Sequence, residues 1–239
     1  MTEKTIGILG GMGPEATIDL YNRIMKATPA TKDQDHIKTI IYCNPKIPDR
    51  TRAILGDGIS PLPDLIETAS AIKCAGADFI IIPCNTAHYF LNELRKEITI
   101  PIIHMIDLAL RYLTEKYPNI KRIGLLATDG TIQSKIYHKT LEAELIQVVL
   151  PLPEKQKSVM SAIYDHIKIG DLETGRLLLN KVTDFLVKSG VELIIVGCTE
   201  ISLVIKNGDL NIPVLDPMQV LAEYSVNVAL GRISLNTVN

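Results

Sequence analysis

Short apolar runs, each ended by a breaker, punctuate this chain, and two of them are alike. Residues 76–88 read GADFIIIPCNTAH and residues 190–200 read GVELIIVGCTE. In each, a glycine and an acidic residue precede four apolar positions, then a Pro or Gly, then a cysteine followed by small polar residues. Runs that are apolar at consecutive positions predict strands buried on both faces, as in a parallel sheet. Cys84 and Cys198 therefore fall where their strands end, the carboxyl edge at which open α/β sheets bind ligands. The turn beyond leads toward a helix start, whose free amides and dipole favour a negative charge such as a thiolate.

The remaining pattern continues the alternation of strand and helix. Residues 4–10 predict a buried strand, and Pro14 suits the first turn of a helix reaching about residue 26. Residues 38–44 predict a second strand, and PKIPDRTRA at 45–53 has loop composition. Helical spacing of Leu65, Ile66, Ala69 and Ile72 covers 61–75, with Gly76 as C-cap. A helix over 86–97, a strand over 100–103 and a helix over 106–117 follow. The second half predicts strands at 123–127 and 146–150. Its helices fall at 133–144, after Pro153, at 172–188 and at 217–230.

From Lys121 the pattern restarts. KRIGLLATDG at 121–130 aligns with KTIGILGGMG at 4–13, an offset of 117 (121 − 4). The cysteine segments align at 114 (198 − 84), and IPVL at 212–215 aligns with IPII at 100–103 at 112 (212 − 100). Three segments recurring in order at nearly constant separation predict a duplicated α/β domain. The expected fold is two pseudosymmetric domains, each a mostly parallel sheet flanked by helices. The first comprises 1–101 with 213–239, its C-terminal helix returning to it, and the second 102–212. An approximate twofold axis would put Cys84 and Cys198 on opposite walls of the cleft between them.

Length and charge narrow the partners. A chain of 239 residues accommodates two domains of about 100 to 150 residues. The 25 basic and 27 acidic residues leave a net charge of −2 with no basic block, which argues against nucleic acid. The N-terminal IGILGGMG is too short for a signal-peptide core, and no apolar run approaches the roughly 20 residues that cross a bilayer. A soluble cytoplasmic protein with no membrane partner is expected. The four cysteines show no CxxC spacing, so neither a disulfide scaffold nor a zinc site is suggested. Cys43 lies within a strand, Cys74 within a helix, and neither has a counterpart in the repeat, so both are read as structural. His36, His104, His138 and His166 have no metal-ligand spacing, and no metal is expected. His88 lies four residues beyond Cys84 and is either a proton partner for the thiol or a packed, capping residue.

Two thiols across a cleft suit the inversion of a carbon centre, which needs a base on one face and an acid on the other. A cysteine of ordinary pKa about 8.5, lowered near cations, can supply one thiolate beside one thiol near neutral pH. The resulting carbanion spreads its charge onto the α-carboxylate, and backbone amides at Asn85, Thr86, Thr199 and Glu200 are suited to hold it.

GGMGPEAT at 10–17, NPKIPDRT at 44–51, PCNTAH at 83–88, LLATDGT at 125–131 and GCTE at 197–200 together resemble the aspartate racemases of the aspartate/glutamate racemase superfamily. The resemblance spans nearly the whole chain. It implies a two-domain pseudosymmetric enzyme that needs neither pyridoxal phosphate nor metal, with Cys84 and Cys198 as the acid/base pair. Related members acting on other substrates carry threonine at the first cysteine; this chain keeps both cysteines, which favours L- and D-aspartate. The resemblance further implies that cations hold the side-chain carboxylate, and Arg50, Arg52 and Lys168 match those positions, with Thr51 between the arginines. A dicarboxylate needs such partners, and an Arg fork binds a carboxylate bidentately. Met12 and its repeat counterpart Thr128, at corresponding strand ends, are assigned to the substrate by symmetry and resemblance. Asp49 and Glu200 stand where either could tune a thiol, although an ion pair or a helix-start carboxylate explains each as well. The resemblance implies a homodimer.

Three rival readings accompany this one. GMGPEA at 11–16 fits the dinucleotide fingerprint GxGxxA, but the acidic ribose partner is missing where Asn44 and Pro45 end the second strand. Two α/β lobes around a cleft also build amino-acid-binding proteins. The same fold and superfamily could act on glutamate, hydantoin or maleate, or decarboxylate.

Overall fold

The structure, a computed structural model, describes residues 3–235. The first half opens with β1 (Ile6–Gly10), the helix α1 (Pro14–Ala27) and β2 (Thr39–Cys43). Then come α2 (Arg50–Leu55), α3 (Leu62–Cys74), β3 (Phe79–Ile81), α4 (Leu91–Glu97) and α5 (Met105–Lys116). The second half runs β4 (Arg122–Ala127), α6 (Asp129–Ser134), α7 (His138–Ala143), β5 (Gln147–Val149) and α8 (Pro153–Ser161). It closes with α9 (Leu172–Lys188), β6 (Leu193–Gly197), α10 (Ile201–Val204), β7 (Val214–Leu215) and α11 (Pro217–Ala229).

All strand pairs are parallel, in two sheets of order β2-β1-β3 and β5-β4-β6-β7. Corresponding strands hold corresponding places: β1 lies between β2 and β3 with Ile6 opposite Thr39 and Phe79, and β4 lies between β5 and β6 with Ile123 opposite Val148 and Leu193. A single parallel bridge, Ile80 to Ile102, stands in the first sheet where β7 stands in the second. The repeated acidic residue before each cysteine strand has a matching job. Asp78 accepts the Thr5 N–H at 2.6 Å, and Glu192 accepts the N–H groups of Lys121 and Arg122 at 2.8 and 2.7 Å, so each acid secures the entry of its central strand. The α/β architecture with two parallel sheets is as the sequence predicts.

The core explains how the halves are joined. α3 and α4 cover one face of the first sheet with Leu65, Ile72, Leu91 and Leu94, while α8, α9 and α10 cover one face of the second with Val159, Leu179, Val182 and Ile201. The other faces meet in a common apolar layer in which Ile8, Phe79, Leu125 and Leu193 pack with α1, α5 and α11. The division at 101/102 and 212/213 stays a proposal, and three contacts run across it: Ile102 bridges to the first sheet, β7 pairs in the second, and α11 packs on both α1 and α5. Residues 1–2 and 236–239 of those ranges lie outside the described residues.

Several elements differ from the sequence expectation for local reasons. The PDRTRA segment is not all loop. Asp49 caps α2 by accepting the Arg52 N–H at 2.9 Å, and Gly56 in the left-handed region (φ 89°) ends it. The helix expected over 86–97 begins as a 3-10 turn, Thr86–Phe90, before α4. The helix expected over 133–144 is broken into α6 and α7 by Lys135 at φ 56°. The strand expected over 100–103 is reduced to the one bridge.

At the β1–α1 turn, Gly11 has φ 97°, donates its N–H to Thr17 Oγ1 at 2.9 Å, and passes so close to Asn44 that an added Cβ would lie 2.3 Å from its carbonyl carbon. Gly11→Ala is expected to destabilise the fold by about 3 kcal/mol or more, since it combines a disfavoured φ with a backbone clash. A urea midpoint matching wild type would refute that account of the turn.

Candidate active site

Each thiol sits one residue past the breaker that ends its strand. Cys84 follows Pro83 after β3, and Cys198 follows β6 directly; both are buried. They line one small cavity of about 10 Å³, room for about one water molecule. Of the residues assigned from the sequence, the structure brings Met12, Asp49, Arg50, Thr51, Asn85, Thr86, Thr128, Lys168, Thr199 and Glu200 to the same cavity. Arg52 is not brought there. It is largely exposed and pairs with Asp57 at 3.6 Å, because the first turn of α2 points it outward. A larger cavity of about 290 Å³ adjoins the first, sharing Met12, Asp49, Arg50, Lys168 and Glu200, and is otherwise walled by the β1–α1 turn, Pro45, Ile47 and Leu203.

The two thiols have different neighbours. Cys198 Sγ donates to Glu200 Oε2 at 2.9 Å, and burial, reinforced by the Glu200 carboxylate, pushes the Cys198 pKa well up. Thr199 Oγ1 lies 3.3 Å from the same carboxylate oxygen and 3.4 Å from the Pro83 carbonyl in the other half. The Cys84 thiol instead has Arg50 as its charged neighbour. Burial opposes the guanidinium charge, but the sulfur of Cys84 and the carboxylate of Asp49 outweigh it and raise the Arg50 pKa. Arg50 is only 8% exposed and is anchored by carbonyls: Nη1 donates to Ile47 and Pro48 at 3.3 and 3.1 Å, and Nη2 to Met12 at 3.3 Å.

Two buried polar atoms at the site lack a partner among the described residues: Arg50 Nε, a donor, and Glu200 Oε1, an acceptor. Unpartnered buried groups are rare because each carries a desolvation cost of about 1–3 kcal/mol, so a pair of opposite polarity lining one cavity marks a place for a ligand.

Several contacts at the site were not legible in the sequence. Tyr164 lines the cavity; its hydroxyl donates to Asp49 Oδ2 at 2.9 Å, and Lys168 Nζ stands 3.9 Å over its ring. Burial works to raise the Asp49 pKa, but the Arg52 N–H, the Tyr164 hydroxyl and the nearby cations keep it below the usual range. Asp49 is thus committed to α2 and Tyr164. The segment carrying Tyr164 and Lys168 is a π-helical turn, Ala162–His166, running into a 3-10 turn, Ile167–Ile169, a departure from regular helix that periodicity does not disclose. Thr86, Thr128 and Thr131 join their hydroxyls in a buried triangle of 2.9 to 3.2 Å that ties the two halves beside Cys84.

His88 takes the capping role. Its Nε2 accepts the Met105 N–H at 3.1 Å, which fixes Nδ1 as the donor to the Cys84 carbonyl at 2.8 Å. Burial, with His104 nearby, lowers its pKa from 6.5 to about 3, so it is neutral and holds the cysteine turn against the start of α5. Below pH 6.5 the unfolded chain binds a proton that the folded chain refuses, so stability is lost as pH falls from about 6.5 toward 3. At pH 5 that loss is about 2 kcal/mol. Urea midpoints at pH 7 and pH 5 should therefore differ less in His88→Asn than in wild type; an equal difference would exclude His88 as the source.

At the ribose position of the dinucleotide fingerprint, the end of β2, Asn44 spends its side chain on Thr68 and the Lys46 N–H, at 3.0 and 3.1 Å. Among the described residues no helix is long and apolar enough to cross a membrane.

The chain is similar in sequence and fold to known racemases. The sequence profile of the Asp/Glu/hydantoin racemase family matches residues 9–224. The solved aspartate racemase of Picrophilus torridus is 32% identical with a TM-score of 0.85, covering 95% of this chain and 94% of that one. An aspartate racemase homologue from Pyrococcus horikoshii is 26% identical with a TM-score of 0.75, covering 95% and 99%. The broad specificity amino-acid racemase RacX of Bacillus subtilis is 28% identical over 230 residues, 95% of this chain and 98% of the relative. With its doubled sheet, its paired strand-end cysteines and a profile match over most of its length, this chain belongs to the Asp/Glu/hydantoin racemase family, a family of isomerases.

Proposed function

We propose that this protein interconverts L- and D-aspartate by a two-base proton transfer between Cys84 and Cys198, in the cytoplasm and as a homodimer. The observation that carries the reading is the pair of cysteines, at matching places in the repeat, lining a single cavity. Cys84, with the Arg50 cation beside its sulfur, serves as the base in one direction, and Cys198, whose S–H is donated to Glu200, as the acid. The Cys84 thiolate takes the α-proton, so an S–H bond forms as the Cα–H bond breaks and the electron pair passes into the α-carboxylate. Cys198 then returns its own proton to the opposite face and is left as thiolate. The sulfurs have exchanged roles, and the reverse turnover resets them.

Substrate recognition rests on the two unpartnered atoms. Arg50 Nε is a donor suited to a carboxylate, and Glu200 Oε1 an acceptor suited to the α-ammonium; a dicarboxylic amino acid supplies both groups. Similarity to the Picrophilus torridus aspartate racemase supports the same substrate. A second reading, racemisation of glutamate or other longer amino acids, is favoured by the adjoining 290 Å³ cavity and by similarity to the broad specificity racemase.

Incubation with L-aspartate in deuterium oxide, without added cofactor, is expected to give D-aspartate deuterated at the α-carbon. Absence of turnover on aspartate would remove the substrate assignment, and D-aspartate free of deuterium would remove the proton-transfer mechanism. The same assay with glutamate and asparagine separates the two readings, and sedimentation decides the oligomeric state.

A further inference from the structure

Tyr137, in the second half, is fully buried and makes one hydrogen bond among the described residues, 2.5 Å to Oδ1 of Asn85, the residue after Cys84. The contact spans 52 positions of sequence. It depends on the helix break already described: Lys135, in the left-handed region at φ 56°, ends α6 and delivers Tyr137 inward just ahead of α7. A non-glycine residue in that region is uncommon and is retained where the surroundings over-determine it.

The bond has one self-consistent direction. Burial, with Asp216 and Cys198 adding, pushes the Tyr137 pKa well up, so its hydroxyl keeps its proton. Among the described residues that proton has no acceptor but Asn85, so the phenol donates and Oδ1 accepts. Asn85 Nδ2 has no hydrogen-bond partner among the described residues, yet it is not one of the sealed unpartnered atoms, and Asn85 lines the thiol cavity. The NH₂ group is therefore the part of the amide open to that cavity.

We propose that Tyr137 is a positioning residue for the racemase reaction: by holding Asn85 Oδ1 it aims Asn85 Nδ2 at the substrate's α-carboxylate, where charge collects as the α-proton leaves. This rests on the two-thiol reading of the site. A donor that strengthens its hold as charge develops raises kcat more than it lowers KM.

Tyr137→Phe is expected to lower kcat on aspartate by about ten- to a hundredfold with little change in KM. In an Asn85→Ala background the same substitution is expected to add nothing, since the group it aims is gone. Losses that multiply across the double variant, or an undiminished kcat in Tyr137→Phe, would overturn the proposal. Should Tyr137→Phe not fold, a ¹⁵N-labelled Cys84→Ser variant titrated with aspartate decides: the Asn85 side-chain amide signals must shift, and unmoved signals refute the role. Wild type assayed in parallel separates the outcomes, because its inactivity on aspartate would sink the function itself rather than the part played by Tyr137.

Discussion

Cys84→Ser and Cys198→Ser are each expected to lower aspartate racemisation by about 10²–10⁴-fold in kcat, the usual contribution of a positioned acid or base. A serine hydroxyl fits the space of either thiol but holds its proton far more tightly, so it cannot serve as a base near neutral pH. The two losses should differ in character. With Cys84 replaced, the remaining thiol is the one whose pKa burial and Glu200 push up, so it is the poorer base of the two sites. With Cys198 replaced, a thiolate at Cys84 can still take a proton from one face. That variant is expected to wash deuterium into a single enantiomer of aspartate without interconverting the two. Comparable racemisation by wild type and either variant would end the two-base account.

Arg50→Ala is expected to lower kcat/KM by about 10²–10³-fold, the scale of losing a preorganised charged donor. Two effects combine. The variant removes Nε, the unpartnered donor assigned to a substrate carboxylate, and it removes the cation beside the Cys84 sulfur. The second effect has its own readout: alkylation of Cys84 by iodoacetamide at neutral pH should be slower than in wild type, because the cation beside its sulfur is gone. An unchanged alkylation rate would show that Arg50 does not act on that sulfur. Arg52→Ala provides the contrast. Its exposed pair with Asp57 is of the kind that contributes little, so kcat/KM should stay near that of wild type.

The sequence discloses what is local or repeated. Cys84 and Cys198 are legible because each ends an apolar run, and the runs are copies; Asp78 and Glu192 are legible as part of the same copy, though their task of securing β1 and β4 is not. Arg50 and Arg52 look equivalent on paper. Capping of α2 by Asp49 sends one side chain inward to carbonyls of Met12, Ile47 and Pro48 and the other out to Asp57, a distinction made by a helix start inside a segment of loop composition. Tyr137, Tyr164 and Thr131 escape notice because their partners, Asn85, Asp49 and Thr86, are 52, 115 and 45 positions away. No periodicity encodes such contacts. The expected helix over 133–144 fails for a related reason: its residues have helical composition, and tertiary packing of Tyr137 overrides that tendency at Lys135.

The apolar layer common to both sheets has a consequence for anyone wishing to dissect the molecule. Although the sequence reads as one unit written twice, neither copy owns its inner wall: Ile8 and Phe79 need the oily slab that Leu125, Leu193 and the last helix complete. Severed between Tyr117 and Lys121, each fragment would bare that slab to water and clump, whereas the two fragments produced together should find one another and dissolve. On that expectation the two copies fold only together.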